Sequence, residues 1–192
     1  MTRTYVITGG PGSGKTGLIL AAEEASYYTI PEAAESVIRR EQARQMMRPW
    51  CQRAEFQDNI LRLQLQREHQ APSREVIIVE RGRPEGLAYC LHERVAPGPE
   101  LERELKNHNA NRYAGVFFLE HPAIQEITKV RHEDLEEAMA IGDKILKVYT
   151  ELEYTPIRIP WMPLDIRINL VLQKINLDVC GTMREIYQQV VA

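Results

Sequence analysis

The chain has 192 residues, of which 44% are hydrophobic, and it carries a formal net charge of -3 at neutral pH. This length supports one well-buried α/β domain and is too short for two ordinary ones, so we expect a single domain over residues 1–192. The slightly acidic balance argues against a general nucleic-acid or anionic-membrane surface, although a few basic residues can still build a local anion site.

The cysteines Cys51, Cys90 and Cys180 are widely spaced and odd in number, without a C-x-x-C pair. This pattern favours buried, reduced thiols over a zinc or redox site. The first predicted strand starts within a few residues of Met1, which leaves no room for a signal peptide, and no apolar run approaches about 18 residues. We therefore expect a soluble, cytoplasmic protein.

The first predicted elements are a short buried strand over residues 4–8 and a helix that continues from residue 17. Between them lies a complete G-x-x-x-x-G-K-[ST] motif, which needs this strand and helix on its two sides. The motif residues are Gly9, Gly10, Pro11, Gly12, Ser13, Gly14, Lys15 and Thr16.

This motif predicts a nucleotide site. Its glycines let the backbone N–H groups point into one concavity, where a polyphosphate would lie at the positive end of the helix. Lys15 would reach the β- and γ-phosphates, and the Thr16 hydroxyl would complete the shell of a Mg²⁺ ion. The chain has no N/T-K-x-D guanine signature, so we expect ATP as the nucleotide.

The rest of the chain alternates strands with helices. Apolar, β-favouring runs predict four more strands, over residues 27–30, 76–79, 115–119 and 155–159. Helical patterns predict helices over residues 31–48, 54–68, 84–95, 100–107 and 131–152, a helix with Ile166, Leu170, Val171 and Ile175, and a short helix in the tail. This order predicts a three-layer α/β/α sandwich around a five-stranded parallel sheet.

In such a sheet, ligands bind beyond the carboxyl ends of the strands. Glu80 ends a strand where an acid can hold the Mg²⁺ shell, and Arg81 beside it can neutralise a transferring phosphoryl group; the alternative is an ordinary surface ion pair. Glu32 follows the second strand and can accept the proton of an attacking hydroxyl. Its alternative role is to complement a helix dipole, which Glu35 could also do.

Two further features are candidates for nucleotide contacts. Lys129 and Arg131 are placed to close over the nucleotide as a lid over residues 120–133, although a solvated basic loop is the alternative. Trp161 follows the fifth strand, where adenine commonly packs in related folds; the alternative is a core or edge aromatic.

The chain resembles small P-loop proteins catalogued as AAA-type ATP-binding domains and close to nucleoside and nucleotide kinases, including the nicotinamide riboside kinase module. The matching segments are residues 7–16, 30–35, 56–57, 63–64, 80–82, 88–89, 130–133, 148–149 and 159–160. The family usually has Asp-Arg-Gly where this chain has Glu-Arg-Gly, and similar deoxynucleoside kinases carry Glu-Arg-Ser there and a catalytic Glu just after strand 2.

The resemblance implies a P-loop NTPase fold with ATP and Mg²⁺ at Lys15, Thr16 and Glu80, a base at Glu32 and a lid arginine at Arg131. The leading hypothesis is a Mg²⁺-dependent phosphotransferase that moves the γ-phosphoryl group of ATP to a small hydroxyl or phosphate acceptor. The alternative is a nucleotide-binding switch or slow ATPase that acts through a protein partner. The oligomeric state is left open by the sequence.

Overall fold

A computed structural model describes residues 2–43, 53–121 and 135–191. Five strands form one sheet: β1 (Arg3–Thr8), β2 (Tyr28–Ile30), β3 (Val76–Glu80), β4 (Gly115–Leu119) and β5 (Ile157–Ile159). Seven helices lie in the described ranges: α1 (Lys15–Glu24), α2 (Ala33–Ala43), α3 (Arg53–Gln70), α4 (Glu85–Glu93), α5 (Pro99–Lys106), α6 (Leu135–Glu151) and α7 (Leu164–Val191). The predicted strands and most predicted helix bounds agree with these ranges to within a few residues.

The sheet is parallel throughout, with strand order β2-β3-β1-β4-β5. β1 is therefore central, and its side chains alternate between two cores because successive residues of a strand point to opposite faces. Tyr5 and Ile7 pack with α1 and α7 on one face, whereas Val6 packs with α4 and α6 on the other. This arrangement confirms the three-layer α/β/α prediction.

The remaining helices lie beside these layers. α3 packs against α2, α4 and α5, so it closes the side of the molecule next to β2 and β3. Asp58 on α3 is buried and accepts hydrogen bonds from the backbone N–H groups of Glu100 (3.2 Å) and Leu101 (3.0 Å). It thereby caps the first turn of α5, whose N–H groups have no partner within the helix.

Two predictions about the last helix and the cysteines are wrong. The tail adds no separate helix, because α7 continues through Gly181, where an added methyl group would meet nothing within 4 Å and no packing interrupts the helix. Cys90 is buried as predicted, but Cys180 is exposed because it lies on the outer face of α7; Cys51 lies outside the described residues. None of the described helices combines the length and apolar character that a membrane span requires.

Candidate active site

The motif residues form a tight loop between β1 and α1. Gly9 has φ +141° in this loop, and a side chain there would meet Leu119 O of β4 at 2.5 Å. Both the conformation and the close approach of β4 therefore require glycine. The loop ends at Gly14, the N-cap of α1, so its N–H groups lie at the positive end of that helix.

Lys15 lies at the start of α1 and is only 3% exposed. Its Nζ donates hydrogen bonds to Gly9 O (2.9 Å) and Gly10 O (2.8 Å). The ammonium group is therefore held against the first half of the loop rather than extending into solvent. This geometry places a fixed positive charge beside the loop's backbone N–H groups.

Glu80 brings the loop together with the end of β3. Thr16 Oγ1 donates to Glu80 Oε1 at 2.8 Å, and the backbone N–H of Glu32 donates to Glu80 Oε2 at 3.3 Å. Burial raises the pKa of the Glu80 carboxyl above its ordinary value, and the charge of Glu32 raises it further. Lys15 and Arg81 have the opposite effect, so the charges of three predicted site residues, Glu32, Lys15 and Arg81, act on the Glu80 carboxyl.

Arg81 and Glu32 form a second contact within the same site. Arg81 Nη2 lies 2.9 Å from Glu32 Oε1, and the guanidinium carbon lies 4.9 Å from the ring centre of Tyr89. Burial lowers the pKa of Arg81, but Glu32 and other nearby acidic groups outweigh burial and raise it overall. Arg81 has φ +66°, a conformation that is strained for a residue with a side chain and that clusters at functional sites.

Two polar residues of α3 hold the backbone of this pair. Arg67 donates to Pro31 O (2.7 Å), Glu32 O (3.0 Å) and Ser36 Oγ (2.7 Å). Buried Gln64 donates from Nε2 to Arg81 O at 2.6 Å. Neither residue is assigned this role from the sequence. Gln64 lies in segment 63–64 of the family resemblance, and Arg67 is marked only as a polar side chain next to the apolar positions of a helix.

Glu85 is a further acid, which sequence reasoning missed. It is 2% exposed, and its Oε1 accepts hydrogen bonds from Gly82 N and from the Tyr149 hydroxyl, each at 3.0 Å. Burial raises the pKa of the Glu85 carboxyl, although Arg81 nearby lowers it. Glu85 therefore holds the backbone immediately after the strained Arg81.

The predicted nucleotide contacts outside the loop have different outcomes. Arg131 and Lys129 lie outside the described residues, as does the predicted lid apart from Glu120 and His121. Glu120 binds Arg158 at 2.8 Å, and His121 packs beside Gly10 of the loop. Burial lowers the pKa of His121, and nearby Lys15 lowers it further.

Trp161 lies next to the phosphate loop but is not a core aromatic, because it is 49% exposed. Its ring centre lies 4.9 Å from the guanidinium carbon of Arg167 on α7. Arg167 in turn donates from Nη2 to Ser13 O at 2.7 Å. Trp161 is a candidate from the sequence, whereas Arg167 is found only in the structure.

Comparison with known proteins agrees with this architecture. A family model described as an AAA domain matches residues 4–167. The chain belongs to the AAA domain family. No curated protein sequence matches it significantly.

Solved structures of kinases share the fold of this AAA domain protein. Deoxyadenosine kinase from M. mycoides with bound dATP has a TM-score of 0.63 at 15% identity, covering 91% of this chain and 99% of that one. Thymidylate kinase from Ehrlichia chaffeensis has a TM-score of 0.63 at 13% identity, covering 91% and 98%. Shikimate kinase from Aquifex aeolicus has a TM-score of 0.51 at 15% identity, covering 93% and 99%. The P-loop kinase-like fold class is thus confirmed.

Proposed function

We propose that this AAA domain protein is a Mg²⁺-dependent phosphotransferase that moves the γ-phosphoryl group of ATP to a small hydroxyl or phosphate acceptor, such as a nucleoside or a nucleotide. The observation that carries the proposal is that the Glu80 carboxylate contacts both the phosphate loop and the segment that contains Glu32. Glu80 accepts hydrogen bonds from Thr16 of the phosphate loop and from the backbone of Glu32. In the proposal, Thr16 belongs to the nucleotide end of the site and Glu32 to the acceptor end, so Glu80 connects the two ends.

The phosphate loop forms the nucleotide end. In the proposal, the loop's backbone N–H groups, of which Pro11 has none, surround the phosphates, and the Lys15 ammonium group neutralises part of the phosphate charge. Lys15 is already held beside the loop by two backbone carbonyls, so little reorganisation is needed when the anion arrives.

The donor set at Thr16 and Glu80 fits a Mg²⁺ ion. Both offer hard oxygen atoms, which are the donors that Mg²⁺ prefers, and their hydrogen bond of 2.8 Å keeps these two oxygens side by side. Glu80 is buried and its pKa is raised, so a cation would stabilise its charged form. When bound, the ion would neutralise charge on the phosphate oxygens.

Glu32 and Arg81 form the acceptor end. With a hydroxyl acceptor, the acceptor oxygen bonds to the γ-phosphorus while Glu32 accepts the hydroxyl proton. The bond between the γ-phosphorus and the β–γ bridging oxygen breaks, and ADP leaves. Arg81 orients the Glu32 carboxylate through their 2.9 Å contact and adds positive charge where the phosphoryl group transfers. Arg131 is proposed as a lid cation that completes this charge.

The neighbouring structures support the choice of acceptor class. Three of these neighbours are named as kinases of deoxyadenosine, thymidylate and shikimate, which are a nucleoside, a nucleotide and a small hydroxy acid. At 13–16% identity these names guide the choice of compounds to test rather than fixing one.

A thermal-shift screen tests the proposal. The protein is mixed with nucleosides, nucleotides and other small hydroxyl compounds, with and without Mg²⁺ and a non-hydrolysable ATP analogue. We expect an acceptor whose stabilisation requires both, since a ligand that binds only the folded state raises its stability. Stabilisation by the ATP analogue with no acceptor from any class would instead favour the nucleotide-switch alternative.

A further inference from the structure

Arg167 is a buried cation that contacts the phosphate loop from outside the motif. It lies in the first turn of α7 and is 2% exposed, among the largest fully buried side chains. Its Nη2 donates to Ser13 O at 2.7 Å. A residue from the last helix of the fold therefore holds one particular carbonyl of the loop.

The direction of that carbonyl determines the direction of the next N–H. Ser13 O and the N–H of Gly14 belong to one planar trans peptide, so they point to opposite sides of it. When Arg167 holds Ser13 O on the outside, the Gly14 N–H is fixed on the opposite side. Gly14 has φ +87° and is the N-cap of α1, so this N–H belongs to the end of the helix where anions bind.

Arg167 also leaves no space for a side chain at Gly14. A methyl group on Gly14 would lie 2.9 Å from Arg167 Nη1 and 3.5 Å from the Trp161 ring. Trp161 covers the guanidinium at 4.9 Å and contributes a cation–π interaction. The three residues thus form one packed unit behind the loop.

The groups around Arg167 compensate its positive charge only in part. Across the part of the chain that the structure describes, no carboxylate forms an ion pair with Arg167, and its Nε has no hydrogen-bond partner. Burial lowers the pKa of its guanidinium. It also lies at the N-terminus of α7 and next to that of α1, and both helix ends are positive, with Asp165 in the first turn of α7 as an acidic neighbour along the chain. A bound polyphosphate would offset this accumulation of positive charge.

We propose that Arg167 is a positioning residue of the phosphate loop, which fixes the peptide between Ser13 and Gly14 for a polyphosphate ligand. This inference rests on the proposed function, because it assumes that the loop binds phosphates. It adds to the motif a residue that the motif does not contain.

The test compares Arg167→Met and Arg167→Lys with Lys174→Met, a matched control that removes an exposed cation about two turns further along the same helix. Calorimetry measures the affinity for Mg²⁺-ATP, inorganic tripolyphosphate and adenosine. We expect Arg167→Met to weaken both phosphate ligands by about tenfold or more, as for a lost charge-assisted hydrogen bond, and to leave adenosine unchanged. Arg167→Lys should lose less, because it keeps the charge but not the planar fork.

Hydrogen exchange gives a readout without any ligand. In Arg167→Met, the peptide covering residues 9–16 should exchange faster, whereas Lys174→Met should match the wild type. A lower melting temperature with unchanged exchange in this peptide and unchanged phosphate affinity would overturn the proposal, because Arg167 would then contribute only to stability. If Arg167→Met does not fold, Arg167→Lys carries the same two measurements.

The outcomes also separate this proposal from the proposed function. Wild-type protein that binds tripolyphosphate through Arg167 but phosphorylates no acceptor would contradict the phosphotransferase alone. Acceptor phosphorylation with full phosphate affinity in Arg167→Met would contradict the role of Arg167 alone. No binding of any phosphate ligand by the wild type would contradict both.

Discussion

Arg81 and Glu32 form a buried ion pair, with Arg81 Nη2 2.9 Å from Glu32 Oε1 and both side chains less than one-tenth exposed. Removing one charge from such a pair leaves the other buried without compensation, which is strongly destabilising. Arg67 and Gln64 anchor the backbone of the two residues, so the pair has a fixed orientation. The Glu32 carboxylate is therefore held in one place, which the proposed role as a general base requires.

Glu32→Gln tests the proposed base. Glutamine keeps the shape and can still accept from Arg81, but it cannot take a proton at neutral pH. In protein shown by its melting curve to be folded, acceptor phosphorylation should fall by about 10²–10⁴-fold while the affinity for Mg²⁺-ATP barely changes. The control is Glu35→Gln in the first turn of α2, where the exposed carboxylate pairs with Arg39 across the helix surface and should not affect turnover.

Glu85→Gln tests the buried acid next to the site. The folded state raises the pKa of Glu85, so the folded protein binds a proton more tightly than the unfolded chain. The contribution of Glu85 to the free energy of unfolding is therefore present at low pH. It is lost as the pH rises above 4.5, the ordinary pKa of a glutamate carboxyl. The pKa of Glu80 is also raised, so Glu80 makes stability depend on pH in both the wild type and Glu85→Gln. The difference in stability between the two proteins at each pH therefore reports on Glu85.

The measurement is urea unfolding of wild type and Glu85→Gln between pH 4 and 8. Glutamine can still accept from Gly82 N and the Tyr149 hydroxyl, and it carries no charge to bury. The wild type should lose stability relative to the variant as the pH rises through this window. Parallel curves would show that Glu85 does not titrate with a raised pKa.

Gly10→Ala and Gly181→Ala should have opposite effects. A methyl group at Gly10 would lie 2.6 Å from His121 Nε2 and closer still to Ala138 O of α6, and overpacking of this kind costs about 1–3 kcal/mol. At Gly181, inside α7, nothing lies within 4 Å, and alanine should stabilise the helix by about 0.5–1 kcal/mol. Urea unfolding of both variants measures the change in the free energy of unfolding. Equal changes in the two variants would contradict the packing of α6 against the loop.

Asp58→Ala should reduce stability without changing nucleotide affinity. It removes the carboxylate that caps α5 through Glu100 N and Leu101 N, and losing such a cap costs about 0.5–2 kcal/mol. Gln66→Ala, an exposed change on the same helix, serves as the control. A stability loss equal to that of the control would show that Asp58 does not cap α5.

The fold could be predicted largely from local patterns. The run Val76–Glu80 and the run Gly115–Leu119 are rich in β-branched or aromatic residues and buried, and such runs are typical of central strands. The length of α7 could not be predicted, because Gly181 resembles a helix end and only its surroundings show that the helix continues. The exposure of Cys180 could not be predicted either, because it also depends on how α7 packs against the rest of the fold.

The candidate site could be predicted where residues follow strands directly. Glu32 and Glu80 are expected near each other because parallel strands end at one edge of the sheet, and the Glu32 N–H does reach the Glu80 carboxylate. Arg167 could not be found, since its contact with Ser13 depends on how α7 packs beside the loop. Glu85 follows Pro84 in a first helical turn, where an acid normally complements the dipole, so nothing in the sequence marks it as buried.

Transfer of labelled phosphate tests the central proposal most directly. Protein, Mg²⁺ and γ-³²P-ATP are incubated with each acceptor from the thermal-shift screen, and labelled acceptor is separated from free phosphate for the wild type, Glu32→Gln and Glu35→Gln. We expect labelled acceptor with the wild type and Glu35→Gln, and a loss of about 10²–10⁴-fold with Glu32→Gln. Release of free phosphate at the same rate from all three proteins, with no labelled acceptor, would contradict the phosphotransferase and favour a nucleotide switch.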